Sequence, residues 1–323
     1  MGQLGRYRHA LPQLGGSLFL TDGGLETTLV FHEGMDLPHF AAFPLLETAE
    51  DEAALRDYFR AYGNLSKKYD TSLILESATW RASSDWGAKL GYTAADLAEL
   101  NKESIRLLEE IRDEYESARN HVVISGCVGP RGDGYVPADV MSTREAEEYH
   151  ADQVSTFAAT PADMVCAITM NYAEEAAGIA RAAQRANVPV AISFTVETDG
   201  NLPTGQELGD AIEQVDADTG RYPSYYMINC AHPTHFEERL VSAKPWTERI
   251  RGLRANASRL SHAELNEASE LDIGNPRELG EHYAKLKKRL RKLNVLGGCC
   301  GTDHRHVDQI AAACVPLFLA AAI

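Results

Sequence analysis

The chain has 323 residues, 44% of them hydrophobic, enough to bury a large core as one big domain or two small ones. A formal charge of -16 at pH 7 argues against nucleic-acid or anionic-membrane partners, because binding to phosphates draws on clustered Lys and Arg. Six cysteines are too few for a disulfide scaffold, and neither a signal-peptide core nor about 20 consecutive apolar residues is present, so a soluble cytoplasmic protein is expected.

Residues 1–16 read as an N-terminal extension, and 17–323 as one domain built from short apolar runs that alternate with helical periodicity. The expected strands are 17–21, 72–76, 121–125, 164–169, 189–194, 225–229, 250–255 and 294–296. Helical spacing covers 51–69, 94–119, 143–159, 172–186 and 207–216. The stretch 256–280 reads as an insertion, and the basic run 285–292 (KLKKRLRK) as the solvated face of an amphipathic helix. Eight alternations without a linker predict an α/β protein, a single (β/α)8 TIM barrel. An open doubly wound sheet would need a GxGxxG after the first strand, which is absent.

A (β/α)8 barrel gathers its chemistry at the C-terminal strand ends. Those ends carry Asp22-Gly23-Gly24, Glu76, Cys127, Thr169 with Asn171, Thr195 with Glu197, Asn229-Cys230, Asn256, and Gly298-Cys299-Cys300-Gly301-Thr302. Three thiols, Cys230, Cys299 and Cys300, on one rim are the donor set of a zinc ion whose fourth position is left to water or substrate. A thiol bound there would be delivered as thiolate. Cys127, Cys166 and Cys314 read as small buried hydrophobes. Thr302-Asp303 read as a helix N-cap that carries His304 and His306 away from the metal, and His232 and His235 are not taken as ligands. Gly129-Pro130-Arg131-Gly132-Asp133-Gly134 lacks the ending of a P-loop.

Asp22-Gly23-Gly24, Val128-Gly129-Pro130, Ser193-Phe194-Thr195, Asn229-Cys230, Asn256 and Gly297-Gly298-Cys299-Cys300-Gly301-Thr302 come in an order that resembles the homocysteine S-methyltransferase family over nearly the whole chain. The resemblance implies a (β/α)8 barrel, zinc held by Cys230, Cys299 and Cys300, homocysteine as acceptor and methionine as product. It also implies that Asp22, Gly23 and Gly24 hold the charged ends of the amino acid, with Asn229 and Asn256 among the substrate-binding residues. With no room for cobalamin domains, it implies a sulfonium or betaine-type methyl donor. The partners are then a small-molecule thiol and a methyl donor; a homo-oligomer is compatible. Two departures stand out. The family's Glu-Thr pair after strand four is replaced by Ala167-Ile168-Thr169, which removes an acid that helps bind the amino group, and Glu76 is the candidate replacement. After strand two the chain reads Glu76-Ser77-Ala78-Thr79-Trp80-Arg81, where Trp80, Trp86 and Tyr92 offer an aromatic wall to a cationic donor.

Overall fold

The computed structural model describes residues 5–320 apart from 138, 241–243 and 269. The first four residues of the expected N-terminal extension and the last three of the expected barrel domain lie outside the described residues. Eight parallel strands close into a barrel in chain order: β1 (Phe19–Leu20), β2 (Ser72–Glu76), β3 (Val122–Val128), β4 (Met164–Met170), β5 (Val190–Phe194), β6 (Tyr225–Asn229), β7 (Ile250–Ala255) and β8 (Val295–Gly298). Closure runs through Phe19 opposite Val295 and Leu20 opposite Leu296. Between the strands lie α1 (Leu25–Phe31), α2 (Ala49–Tyr69), α3 (Ser84–Leu90), α4 (Ala94–Tyr115), α5 (Thr143–Ala158), α6 (Ala173–Arg185), α7 (Leu208–Thr219), α8 (Pro233–Phe236), α9 (His262–Glu267), α10 (Pro276–Arg289) and α11 (His304–Ala320). Among the described residues no helix is long and apolar enough to cross a membrane.

The two-residue period of the strands sorts their side chains into two cores. Leu73, Leu75, Ile124, Val165, Ala167 and Ile192 face the helices. Phe19, Ile74, Val123, Met164, Cys166, Tyr225 and Met227 fill the barrel interior. Residues 5–16 close the floor at the N-terminal strand ends. Leu11 joins the inner core, Gln13 donates to the Met164 sulfur at 3.2 Å, and Arg8 donates to the carbonyls of Ala158, Thr160 and Ala162 at 2.6–2.8 Å.

The strand boundaries differ from expectation where glycine is involved. β1 keeps only two residues because the chain bends away at Gly23-Gly24, whereas β8 runs on through Gly297 and Gly298, which pair with Arg254 and Ala255. Barrel closure outweighs the low strand preference of glycine there. β3 extends to Val128, so Cys127 lies inside the strand rather than after it. The basic run begins on α10, where Lys288 and Arg289 are exposed while Tyr283 and Leu286 are buried.

Candidate active site

Strand parity points Glu76, Cys127, Ile168 and Arg254 at the upper interior, and all four line a cavity of about 430 Å³ at the barrel mouth. Cys230, Cys299 and Cys300 lie on the same wall. Their sulfurs are within 4.8 Å of one another, with Cys230 to Cys300 at 3.7 Å, and they form the one potential metal-binding group of three or more ligands among the described residues.

The backbone that presents these sulfurs is unusual. Cys230 sits at φ 54° and Thr169, at the neighbouring end of β4, at φ 65°, a rare conformation for a β-branched residue. Asn229 holds them in place. Its Oδ1 accepts from the Thr169 N–H at 3.0 Å and from Ser193 Oγ at 2.6 Å, and its Nδ2 donates to Thr169 Oγ1 at 2.8 Å. Asn256 Nδ2 donates to the Cys230 carbonyl at 3.1 Å. Asn229 and Asn256 are buried beside the cysteine-bearing strand ends and are not among the residues that line the cavity. On the other strand end, Thr302 Oγ1 donates to the Cys299 carbonyl at 2.6 Å, and Gly301 at φ 75° turns the chain so that both adjacent cysteines face inward. A Cβ at Gly24 would stand 2.6 Å from the Cys299 carbonyl oxygen, so that glycine sets how closely β1 approaches the cysteine turn.

Thiols crowded like this share charge. Hydrogen bonds from Cys299 and Cys300, and a weaker one from Tyr135, hold Cys230 well below the ordinary thiol range against the effect of burial. The same contacts push Cys299 up to about 12 and raise Cys300. Tyr135 Oη lies 3.4 Å from both Cys230 and Cys300, and its ring stacks on His262 at 4.1 Å. His262 in turn bonds the Cys230 carbonyl at 2.5 Å and Glu197 at 3.0 Å. The expected insertion 256–280 is thus a wall of the site, through Ser258 and α9.

The acid groups divide into engaged and unengaged. Asp22 accepts from Arg254 Nη2 at 2.5 Å through Oδ1 and from Tyr58 at 3.0 Å through Oδ2. Burial pushes its carboxyl up, against the guanidinium and the phenol that favour its charge. Glu76 is 6% exposed, and its Oε2 has no hydrogen-bond partner. Burial, only partly offset by Arg254, pushes it up to about 7. Glu26 on the cavity wall is likewise pushed up to about 7 by burial. Gly23 and Gly24 line the cavity, and Ile168 contributes only an apolar surface.

The aromatic wall takes a different form from the one expected. Trp80 and Trp86 do line the cavity, but Arg81 stacks on both at 3.9 and 3.7 Å, and Lys89 stands 3.7 Å over Trp86. Tyr92 packs edge-on against Phe43 and bonds Glu47, away from the cavity. The histidines near the cysteines in sequence are engaged elsewhere. His232 bonds Thr234, His235 bonds the Arg259 carbonyl, and His306, on α11, bonds Asp303 and the Ile273 carbonyl. Cys166 and Cys314 are fully buried, whereas Cys127 is buried and also forms part of the cavity floor. Sequence reasoning missed Arg254, Tyr58, Tyr135 and His262. Arg254 alone had a signal, a charged residue at an inward position of an apolar strand.

A closed parallel barrel with three cysteines from two strand ends facing one cavity defines a thiol-clustered (β/α)8 enzyme. The homocysteine S-methyltransferase family model matches residues 19–314, and the chain belongs to that family. It is an enzyme of the homocysteine methyltransferase type. The structure is similar to homocysteine methyltransferase MmuM from Escherichia coli. The metallated and oxidised forms each give a TM-score of 0.74 at 19% identity, and the apo form gives 0.67 at 18%. All three alignments cover 94% of this chain and 98% of the other. Among curated sequences no relative matches the chain.

Proposed function

We propose that the protein transfers a methyl group from a sulfonium or betaine-type donor to the thiol of homocysteine, giving methionine, with zinc held by Cys230, Cys299 and Cys300. The observation that carries this is the convergence of three thiols on the wall of a cavity large enough for a small amino acid and a donor. Soft sulfur donors at this spacing fit zinc. When bound, zinc supplies a Lewis acid that lowers the pKa of an acceptor thiol.

The chain's own residues do the rest. Asn229, Asn256 and Thr302 fix the cysteine-bearing strand ends, and Tyr135 and His262 wall the cysteines on the mouth side. Glu76 offers an unpaired buried carboxyl oxygen to the acceptor's ammonium, the part left open by Ile168. Glu26 and Asp133 on the cavity wall favour a cationic donor. In the transfer the donor's carbon–sulfur or carbon–nitrogen bond breaks and its electron pair stays on the departing thioether or tertiary amine. The new sulfur–methyl bond forms at the acceptor, and the thiol proton passes to solvent. Holding both partners in line in one cavity is the main rate contribution asked of the fold.

The test is mass spectrometry of products after purified protein is given homocysteine with S-methylmethionine, S-adenosylmethionine or betaine separately. Methionine from at least one donor is the expected result. No methylated thiol with any donor, for protein containing one zinc per chain, would refute the proposal.

A further inference from the structure

Four arginines are buried among the described residues, and three of them are spent on the protein itself. Arg112 pairs with Asp163 at 3.1 Å, Arg254 pairs with Asp22 at 2.5 Å, and Arg8 donates to the carbonyls of Ala158, Thr160 and Ala162. Arg81 is the fourth. It is 6% exposed, lines the cavity, and makes no ion pair among the described residues. Its Nη1 donates to the Gly132 carbonyl at 2.9 Å; its Nη2 has no hydrogen-bond partner among the described residues and, unlike Nε, is not sealed from solvent. A buried cation without a carboxylate is costly to maintain, and the cavity is the place from which a ligand can supply the counter-charge.

The group is fixed before any ligand arrives. Its Cζ lies 3.9 Å from the ring centre of Trp80 and 3.7 Å from that of Trp86. Both indoles are pinned by their own N–H groups, Trp80 to the Ile168 carbonyl at 3.2 Å and Trp86 to the Pro130 carbonyl at 3.3 Å. Stacking occupies the face of a guanidinium and leaves its edge for hydrogen bonds. Burial pulls Arg81 down to about 10, opposed by Asp133 and Glu26, so it stays charged at neutral pH. Those two carboxylates also line the cavity without pairing with Arg81. A ligand in this space therefore meets acid groups for a positive centre and one arginine edge for a negative one.

We propose that Arg81 is a specificity determinant for the methyl donor, its open edge binding a carboxylate of the onium compound while Glu26 and Asp133 face the onium centre. This rests on the proposed methyl transfer. The two indoles then act on the donor's anionic end, through the arginine they hold, and not on its cation as an open aromatic wall would. The selected class is zwitterionic onium compounds, and sulfonium cations that lack an acid group are poor ligands. The acceptor also carries a carboxylate, but its expected place is the turn at Asp22, Gly23 and Gly24, so a loss confined to donor binding separates the two sources.

The experiment is calorimetry on the purified protein with S-methylmethionine and with 3-aminopropyl(dimethyl)sulfonium, its decarboxylated analogue, each without acceptor so that no transfer occurs. The wild-type protein should bind S-methylmethionine roughly ten- to a hundredfold more tightly than the analogue. Arg81→Met and Arg81→Gln should bring that ratio towards one and leave the affinity for homocysteine unchanged, with circular dichroism verifying the fold. If Arg81→Met does not fold, Arg81→Gln and the wild-type pair of ligands still decide. Equal wild-type affinity for the two sulfonium compounds would overturn the proposal. So would variants that weaken both by the same factor, the mark of a merely structural arginine, or a loss that falls on homocysteine instead. Preference for S-methylmethionine in a protein that methylates no thiol would leave Arg81 in its role and sink the proposed activity.

Discussion

Glu76→Gln should stabilise the free protein and impair its use of homocysteine. Glu76 is buried, and its ionised form has no partner for Oε2, which is why burial pushes it from 4.5 up to about 7. A carboxyl with a raised folded-state pKa favours the fold fully below its unfolded value, and that contribution is lost as pH rises towards the folded value. For Glu76 the window therefore runs from about pH 4.5 to about 7. At about 1.4 kcal/mol per pKa unit the loss is roughly 3 kcal/mol, complete by pH 8. Gln is nearly isosteric and cannot ionise, so the variant should match wild type at pH 4.5 and exceed it by up to roughly 3 kcal/mol at pH 8. Urea unfolding of metal-free protein at a series of pH values reads this directly. In turnover the sign reverses: an ammonium that loses its carboxylate gives up roughly 1.5–3 kcal/mol, seen as a lower kcat/KM for homocysteine. A stability difference that is the same at pH 4.5 and pH 8 would show that Glu76 is not titrating in the fold. Unchanged kinetics would show that it does not touch the acceptor.

Other outcomes follow from the same geometry. Purified protein should hold one zinc per chain by elemental analysis, and the Cys299→Ala, Cys300→Ala double variant should lose it, whereas Cys314→Ala, buried within α11 and outside the cluster, should not. Asn229→Ala strips the support from Thr169 at φ 65° and leaves the Ser193 hydroxyl unpaired, and should cost roughly 2–4 kcal/mol in urea unfolding. Gly24→Ala forces β1 away from the Cys299 carbonyl; reduced zinc retention on dialysis against a chelator, with the fold intact by circular dichroism, is the expected result.

Much of the barrel was legible because parallel strands buried on both faces write themselves as apolar runs, and β2, β6 and β7 begin and end where those runs do. The cysteine cluster was legible because Cys230 and the Cys299-Cys300 pair fall directly after such runs. What sequence patterns do not carry is which polar groups spend themselves on each other. Asp22 looks the same in the sequence whether its carboxylate awaits a ligand or is held by Arg254 and Tyr58. Asn229 gives no hint in the sequence that its amide bonds Thr169 and Ser193 and also approaches the Cys299 sulfur at 3.9 Å. Trp80 and Trp86 suggest open ring faces until Arg81 is found stacked on both. Tyr135 comes from an irregular loop with no period, and its closeness to Cys230 exists only in three dimensions.

The floor built by residues 5–16 has a kinetic meaning. With Arg8 and Gln13 anchoring the underside and the inner core packed beneath the site, the described residues close the barrel at its N-terminal strand ends, and the cavity opens at the end that carries the cysteines. Everything that enters must leave by the same door. Crowding at a single entrance, more than the chemistry at its base, would then set how the enzyme responds when one substrate is in excess.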